Sequence, residues 1–257
     1  MRSPWTEESI KYIEALKKLG KTVSYSPVIA KARGDHNIYE FGTQLERAAH
    51  TALGRTDGIA TLSTEPNLYF KAQIDKGLPD TGEAQVVIGG RSFFSNGALT
   101  EQAINLLILF TPSVDGDGLR ADKTYVVRKL HFDFDRGNVG QNRPTSHLQV
   151  GGKIADIMVA HRGGEGIERE TFNELDVPRI PSPPYGLASV LDIALREFAP
   201  PAMQALTKEA FWNELVRETE ILLLSNYHQR LYDECRNRST RTTYTHHCEV
   251  IVSDMKP

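Results

Sequence analysis

An α+β fold, with a mainly antiparallel central sheet packed by N-terminal and long C-terminal helices, is what this sequence predicts. Extended, alternating segments gather in the middle of the chain, and helical periodicity gathers at its two ends. The two kinds are segregated, whereas a doubly wound parallel sheet needs them to alternate. At 257 residues the chain is long enough for a sizeable core. It reads as one domain over 1–257, divisible into a sheet-rich part, 1–178, and a helical part, 179–257.

Three segments share the pattern apolar, Thr, three residues, apolar: Trp5-Thr6 to Ile10, Leu99-Thr100 to Ile104, and Leu206-Thr207 to Phe211. In each, the threonine hydroxyl can cap free backbone N–H groups while the apolar pair closes as a staple, so each predicts a helix start. The first helix is expected over Thr6–Leu19, with Ile10, Ile13 and Leu16 on one face and Gly20 as its stop. Thr22 to Ala32 and Ile38 to Phe41 look extended. The capping box Thr43-Gln44-Leu45-Glu46 predicts a short helix ending near Gly54.

In the middle, Leu68 to Ile74 and Ala84 to Ile88 read as strands, the second ended by Gly89-Gly90. Thr100 to Phe110 has both a staple and a continuous apolar run, and the staple favours a helix, stopped by Thr111-Pro112. Ser113 to Gly118, with two Asp-Gly pairs, is a loop. Tyr125 to Asp135 alternates cleanly from Leu130, and Ser146 to Val150 resumes the pattern after turn-rich residues, so the two predict a hairpin. Ile154 to Val159 reads as a further strand and Gly163 to Gly166 as a loop. The proline-dense run from Arg179 to Tyr185 suits a stiff connector better than a helix or central strand, although such a run can also enter a partner's groove. Apolar residues at helical spacing predict helices over Tyr185–Phe198 and from Thr207 to about Arg236, and Glu249 to Ser253 closes as a strand.

Composition narrows the function classes. The chain is 40% hydrophobic and 25% charged, ordinary for a globular protein, and its net charge of -3 leaves no global basic surface. The two cysteines, Cys235 and Cys248, do not make a disulfide framework, and a reducing, cytoplasmic setting is expected. The first residues have no apolar core of a leader, and Ile104 to Phe110 is too short to span a bilayer, so no membrane is expected. There is no phosphate-binding Gly-rich loop, no dinucleotide fingerprint, no Gly-x-Ser-x-Gly, no His-Glu-x-x-His and no C-x-x-C pair. No cofactor is implied by any local motif.

Four residues carry the clearest chemistry. Residues two apart on a strand share a face, so His131, Asp133 and Asp135 point the same way. With a turn near Gly140, Asp133 falls opposite His147 and His131 opposite Gln149. Imidazoles and carboxylates so placed can hold a divalent metal or act as general base and orienting acid. The same alternation also describes the solvated face of any half-buried strand, with Leu130, Phe132, Phe134 and Leu148 beneath. Two weaker groups follow. His228, Cys235, His246, His247 and Cys248 are zinc-type ligands without zinc-type spacing, for which ordinary buried thiols are the simpler reading. Arg236, Arg238 and Arg241, with Arg230 and Tyr244, can meet phosphates or simply complement a helix C-terminus.

The segments Leu130 to Asp135, Arg143 to Gly152 and Arg179-Ile180-Pro181 together resemble a family of bacterial domains of unknown function. Some members of that family lie in mobile or anti-phage gene neighbourhoods. The resemblance covers about Leu130 to Phe198, roughly a quarter of the chain. It implies an accessory role in a bacterial multi-protein system, and it carries over no catalytic residue. The expected function is a non-enzymatic accessory or adaptor subunit with a protein partner or a second copy of itself. The alternatives are a metal-dependent phosphodiesterase or nuclease built on His131, Asp133, Asp135 and His147, and a nucleic-acid binder using Arg236, Arg238 and Arg241.

Overall fold

The computed structural model describes residues 3–31, 36–65, 67–73, 81–115, 120–135, 146–151, 167–168 and 179–237. Three helices come first: α1 (Glu7–Tyr25), α2 (Pro27–Lys31) and α3 (Ile38–Leu53). The strands are β1 (Ala60–Ser63), β2 (Leu68–Lys71), β3 (Gly82–Ser95), β4 (Ala98–Pro112), β5 (Thr124–Asp135), β6 (Ser146–Val150), β7 (Ile167–Glu168) and β8 (Arg179–Pro181). Then follow α4 (Leu187–Phe198), α5 (Pro201–Gln204), a 3-10 turn at Ala205–Lys208 and α6 (Ala210–Asn237). The strands join in one sheet ordered β1-β3-β4-β5-β6-β8, with β2 also on β3 and β7 on β5. All pairs are antiparallel except the two-residue β5–β7 contact. The fold is α+β. Its apolar core joins α1, α3, α4 and α6 to one face of the sheet, and so draws on residues from both sides of position 179. No described helix is long and apolar enough to cross a membrane.

The largest departure from expectation is Thr100–Phe110, which is not a helix but the middle of β4. The deciding signal is Asn96-Gly97. Both residues have positive φ, 51° and 72°, the conformation a two-residue hairpin turn needs to match the twist of its strands. Ser95 then pairs with Ala98, and β3 and β4 zip together from there. Thr100 caps nothing; its hydroxyl donates to the Phe93 carbonyl. The apolar run is explained by burial on both faces. Ile104, Leu106 and Ile108 enter the main core, while Leu107 and Leu109 join Val87 and Val126 on the opposite face.

Other boundaries moved for related reasons. Gly89-Gly90 does not end β3, which runs through both glycines to Ser95. A Cβ on Gly90 would stand 2.2 Å from the Ala103 carbonyl oxygen of β4, so the residue marks a close approach of two strands. The strand expected over Leu68–Ile74 is shorter, ending at Lys71, and its last position lies outside the described residues. Thr207 does not cap the last helix. It sits in the 3-10 turn and donates its hydroxyl to Gln204, and α6 starts three residues later. Arg179–Pro181, expected to be a stiff connector, pairs with β6 at the sheet margin, where proline is tolerated. The strands expected at Ile154–Val159 and Glu249–Ser253, and the loop at Gly163–Gly166, lie outside the described residues.

At the N-terminus, Thr6 is the cap of α1 and accepts from the Ser9 N–H at 3.2 Å. Gly20, however, is inside α1, and Thr22–Lys31 is helix on both sides of Ser26, the end of α1 and then α2, with Ala32 outside the described residues. Likewise Ile38–Phe41 is the first turn of α3, and Thr43 lies within that helix, donating to Tyr39 one turn back. Tertiary packing overrides local propensity here. Gly20 and Gly42 mark the crossing of α1 and α3, and a Cβ on Gly20 would stand 2.6 Å from both the Gly42 oxygen and the Glu46 nitrogen. The α1 face carrying Ile13, Leu16 and Leu19 is fully buried. A polar tie then joins layers: Tyr12 donates to Gln102 of β4 at 2.6 Å, and Gln102 donates to the Tyr185 carbonyl before α4.

Alanine is the better helix former by about 1 kcal/mol, yet Gly20→Ala is expected to destabilise the protein by about 2 kcal/mol, because backbone atoms of α3 occupy the space. Urea unfolding checks this. An unchanged or higher midpoint would mean that the two helices separate without cost.

Candidate functional site on β5 and β6

The β5–β6 register places Asp133 opposite His147 and His131 opposite Gln149. Directly opposed residues share a face, so the three chemical side chains meet on the side of the sheet away from the helices. Phe132, Phe134 and Leu148 point to the helices and hold the strands in place. His131 Nε2 lies 2.5 Å from Asp133 Oδ1, and His147 Nε2 lies 3.3 Å from Oδ2 of the same carboxylate. The result is one carboxylate between two imidazoles. His147 is nearly enclosed, its side chain 6% exposed, while those of His131 and Asp133 keep 21% and 27%.

Asp135 continues the same face one step farther, opposite Glu101 of β4. Among the described residues, no group of three or more His, Cys, Asp or Glu side chains is arranged to hold a metal ion. The chemistry this arrangement offers is orientation: a carboxylate that fixes the ring of His131.

Two further residues join this face. Lys129 is buried, opposite Leu107, and Asn105 is buried opposite His131. Asn105 Oδ1 has no hydrogen-bond partner. Burial pushes the Lys129 ammonium down to about 8, against a smaller opposing pull from the Asp133 carboxylate. Neither residue stands out in the sequence. Asn105 is hidden by reading its segment as a helix, and Lys129 by looking like an exposed position next to Arg128. The Asn96-Gly97 turn is the signal that makes 98–112 a strand, and the bulge at Thr100, where the β3–β4 register shifts by one residue, decides which side chains beyond it share a face.

The other candidates are placed as follows. His228 is exposed on α6, with its ring 5.6 Å from that of Tyr227. Arg230, Cys235 and Arg236 belong to the end of α6, their side chains outside what is described. Arg238, Arg241, Tyr244, His246, His247 and Cys248 lie outside the described residues. No family model, no curated protein and no solved structure matches the chain.

Lys129 provides a pH test of this face. Its folded value lies below the ordinary lysine value of 10.5, so folding disfavours the charged form. That penalty is fully present below about pH 8 and fades as pH rises to about 10.5. Lys129→Met is expected to raise the unfolding free energy by on the order of 2 kcal/mol at neutral pH, with the advantage over wild type shrinking through that alkaline window. A variant no more stable at neutral pH, or a gap that grows with pH, would show that the ammonium is well solvated in the fold.

Proposed function

We propose that the chain is a non-enzymatic accessory or adaptor subunit that docks a protein partner on the helix-bearing face of the sheet, at its β6–β8 end. The observation that carries this reading is a gap in the helical layer formed by the described residues. Leu130 pairs with Val150 and Leu148 with Ile180, so these four apolar side chains share the face that elsewhere is covered by helices. Leu130 and Leu148 are only partly buried, and Val150 and Ile180 are 48% and 51% exposed. The contact of Phe132 with Tyr185, ring centroids 5.3 Å apart, marks where the covered region gives way to this patch. An apolar patch continuous with a core is the kind of surface that a partner's apolar side chains cover.

The resemblance of Leu130 to Phe198 to bacterial domains of unknown function, some of them in anti-phage gene neighbourhoods, supports the same reading and implies its setting, a multi-protein system. The fixed His131–Asp133–His147 group serves the adaptor as a brace, holding β6 to β5 on the other face.

The test is co-expression with the products of neighbouring genes. Wild type is expected to retain one of them through purification. Val150→Asp combined with Ile180→Asp, both at exposed positions, is expected to weaken that retention by about tenfold or more, with melting temperature little changed. Retention undiminished in the double variant, or no retention by wild type, overturns the proposal. So does phosphodiester hydrolysis by wild type that His147→Ala abolishes, which would favour the nuclease reading.

A further inference from the structure

We propose that Lys129 is a covalent capture site for a small aldehyde or ketone, which it holds as an imine on Nζ. The site lies on the sheet face opposite the docking patch and stands independently of it.

The argument begins with position. Lys129 is 5% exposed and faces Leu107 across the ladder. Leu107, with Val87, Leu109 and Val126, forms the apolar cluster of this face. Among the described residues, the Lys129 ammonium makes no hydrogen bond or ion pair; Asp133, four residues along, acts on it only through its field. An amine that is buried beside apolar side chains and not held by a carboxylate is the arrangement that makes lysine a nucleophile, because the ammonium is poorly solvated there. The lowered ammonium value agrees with this.

Neighbouring groups suit the chemistry. The neutral Nζ amine attacks the carbonyl carbon, a C–N bond forms, the carbonyl electron pair moves to oxygen, and one proton passes from nitrogen to that oxygen. The carbinolamine then loses its hydroxyl as water, the second nitrogen proton completing the balance, while the nitrogen pair closes the C=N bond. Nothing is oxidised or reduced. The step needs a group that gives and takes a proton, and His131, held by Asp133, lies on the same face two residues away. It also creates a hydroxyl inside a buried region. Asn105 Oδ1, a buried acceptor without a partner, lies one step along this face, opposite His131, and is the group to receive it.

The full-length protein is treated with propanal and sodium cyanoborohydride at neutral pH, and the alkylated lysines are mapped by mass spectrometry. Lys129 is expected to react about tenfold or more faster than the exposed Lys11 and Lys71. In Lys129→Met this fast site is expected to be missing, while Lys11 and Lys71 react as before. In denaturant the preference is expected to vanish. Lys129 reacting no faster than the exposed lysines in the native protein, or keeping its preference when unfolded, overturns the inference. The wild-type map decides this even if the variant does not fold.

Discussion

The positive φ angles of Asn96 and Gly97 are the constraint on which the rest of this structure depends. They allow a two-residue reversal that starts the β3–β4 pairing at Ser95–Ala98, and a bulge at Thr100 then shifts the register by one residue before it runs on to Gly82–Pro112. Register matters because a slip of one residue exchanges the two faces of a strand. With β4 fixed, Leu106 goes to the helices and Leu107 away from them, and β5 and β6 inherit the same division through their own pairing. The turn is itself held down. Gly97 donates to the Gly58 carbonyl, Thr6 donates to the Gly97 carbonyl, and a Cβ at Gly97 would collide with Pro4. The start of α1 and the tip of the hairpin are thus one unit.

The helical layer is built by different means. Glycines let α1 and α3 approach until backbone meets backbone, and Ser24 donates to the Gly20 carbonyl at that crossing. At the other end, Asp192 of α4 accepts from the Trp212 indole and from Arg196, and Arg196 also donates to Asn213. Trp212 is fully buried, so its N–H needs such a partner. These two arrangements give a firm cover over β1 to β5, while the sheet extends past it. The surplus width of the sheet is what leaves Val150 and Ile180 in solvent.

Much of the fold was legible in the residues. The segregation of strand and helix patterns led to α+β, and the alternation from Leu130 to Asp135 led to the facing of Asp133 and His147. Where reading failed, a local rule met a tertiary one. The Thr100 staple pattern is chemically sound for a helix start, but a partner strand on each side offers β4 more hydrogen bonds and two apolar surfaces. Gly20 and Thr43 are ordinary helix punctuation in isolation, and only the α1–α3 crossing reverses their meaning. Of the site, His131, Asp133 and His147 were legible from period-two spacing. Asn105 and Lys129 were not, because their burial follows from a sheet order that no short window contains.

The end of the described sheet is β8, three residues long and closed by Pro181. Proline has no amide hydrogen to offer a newcomer, and so short a margin gives a foreign strand little to zip onto. Growth of the sheet into chains of molecules is thereby discouraged at the place where its greasy surface is most open. An exposed apolar patch thus stands beside a sheet margin that is a poor seed for fibres.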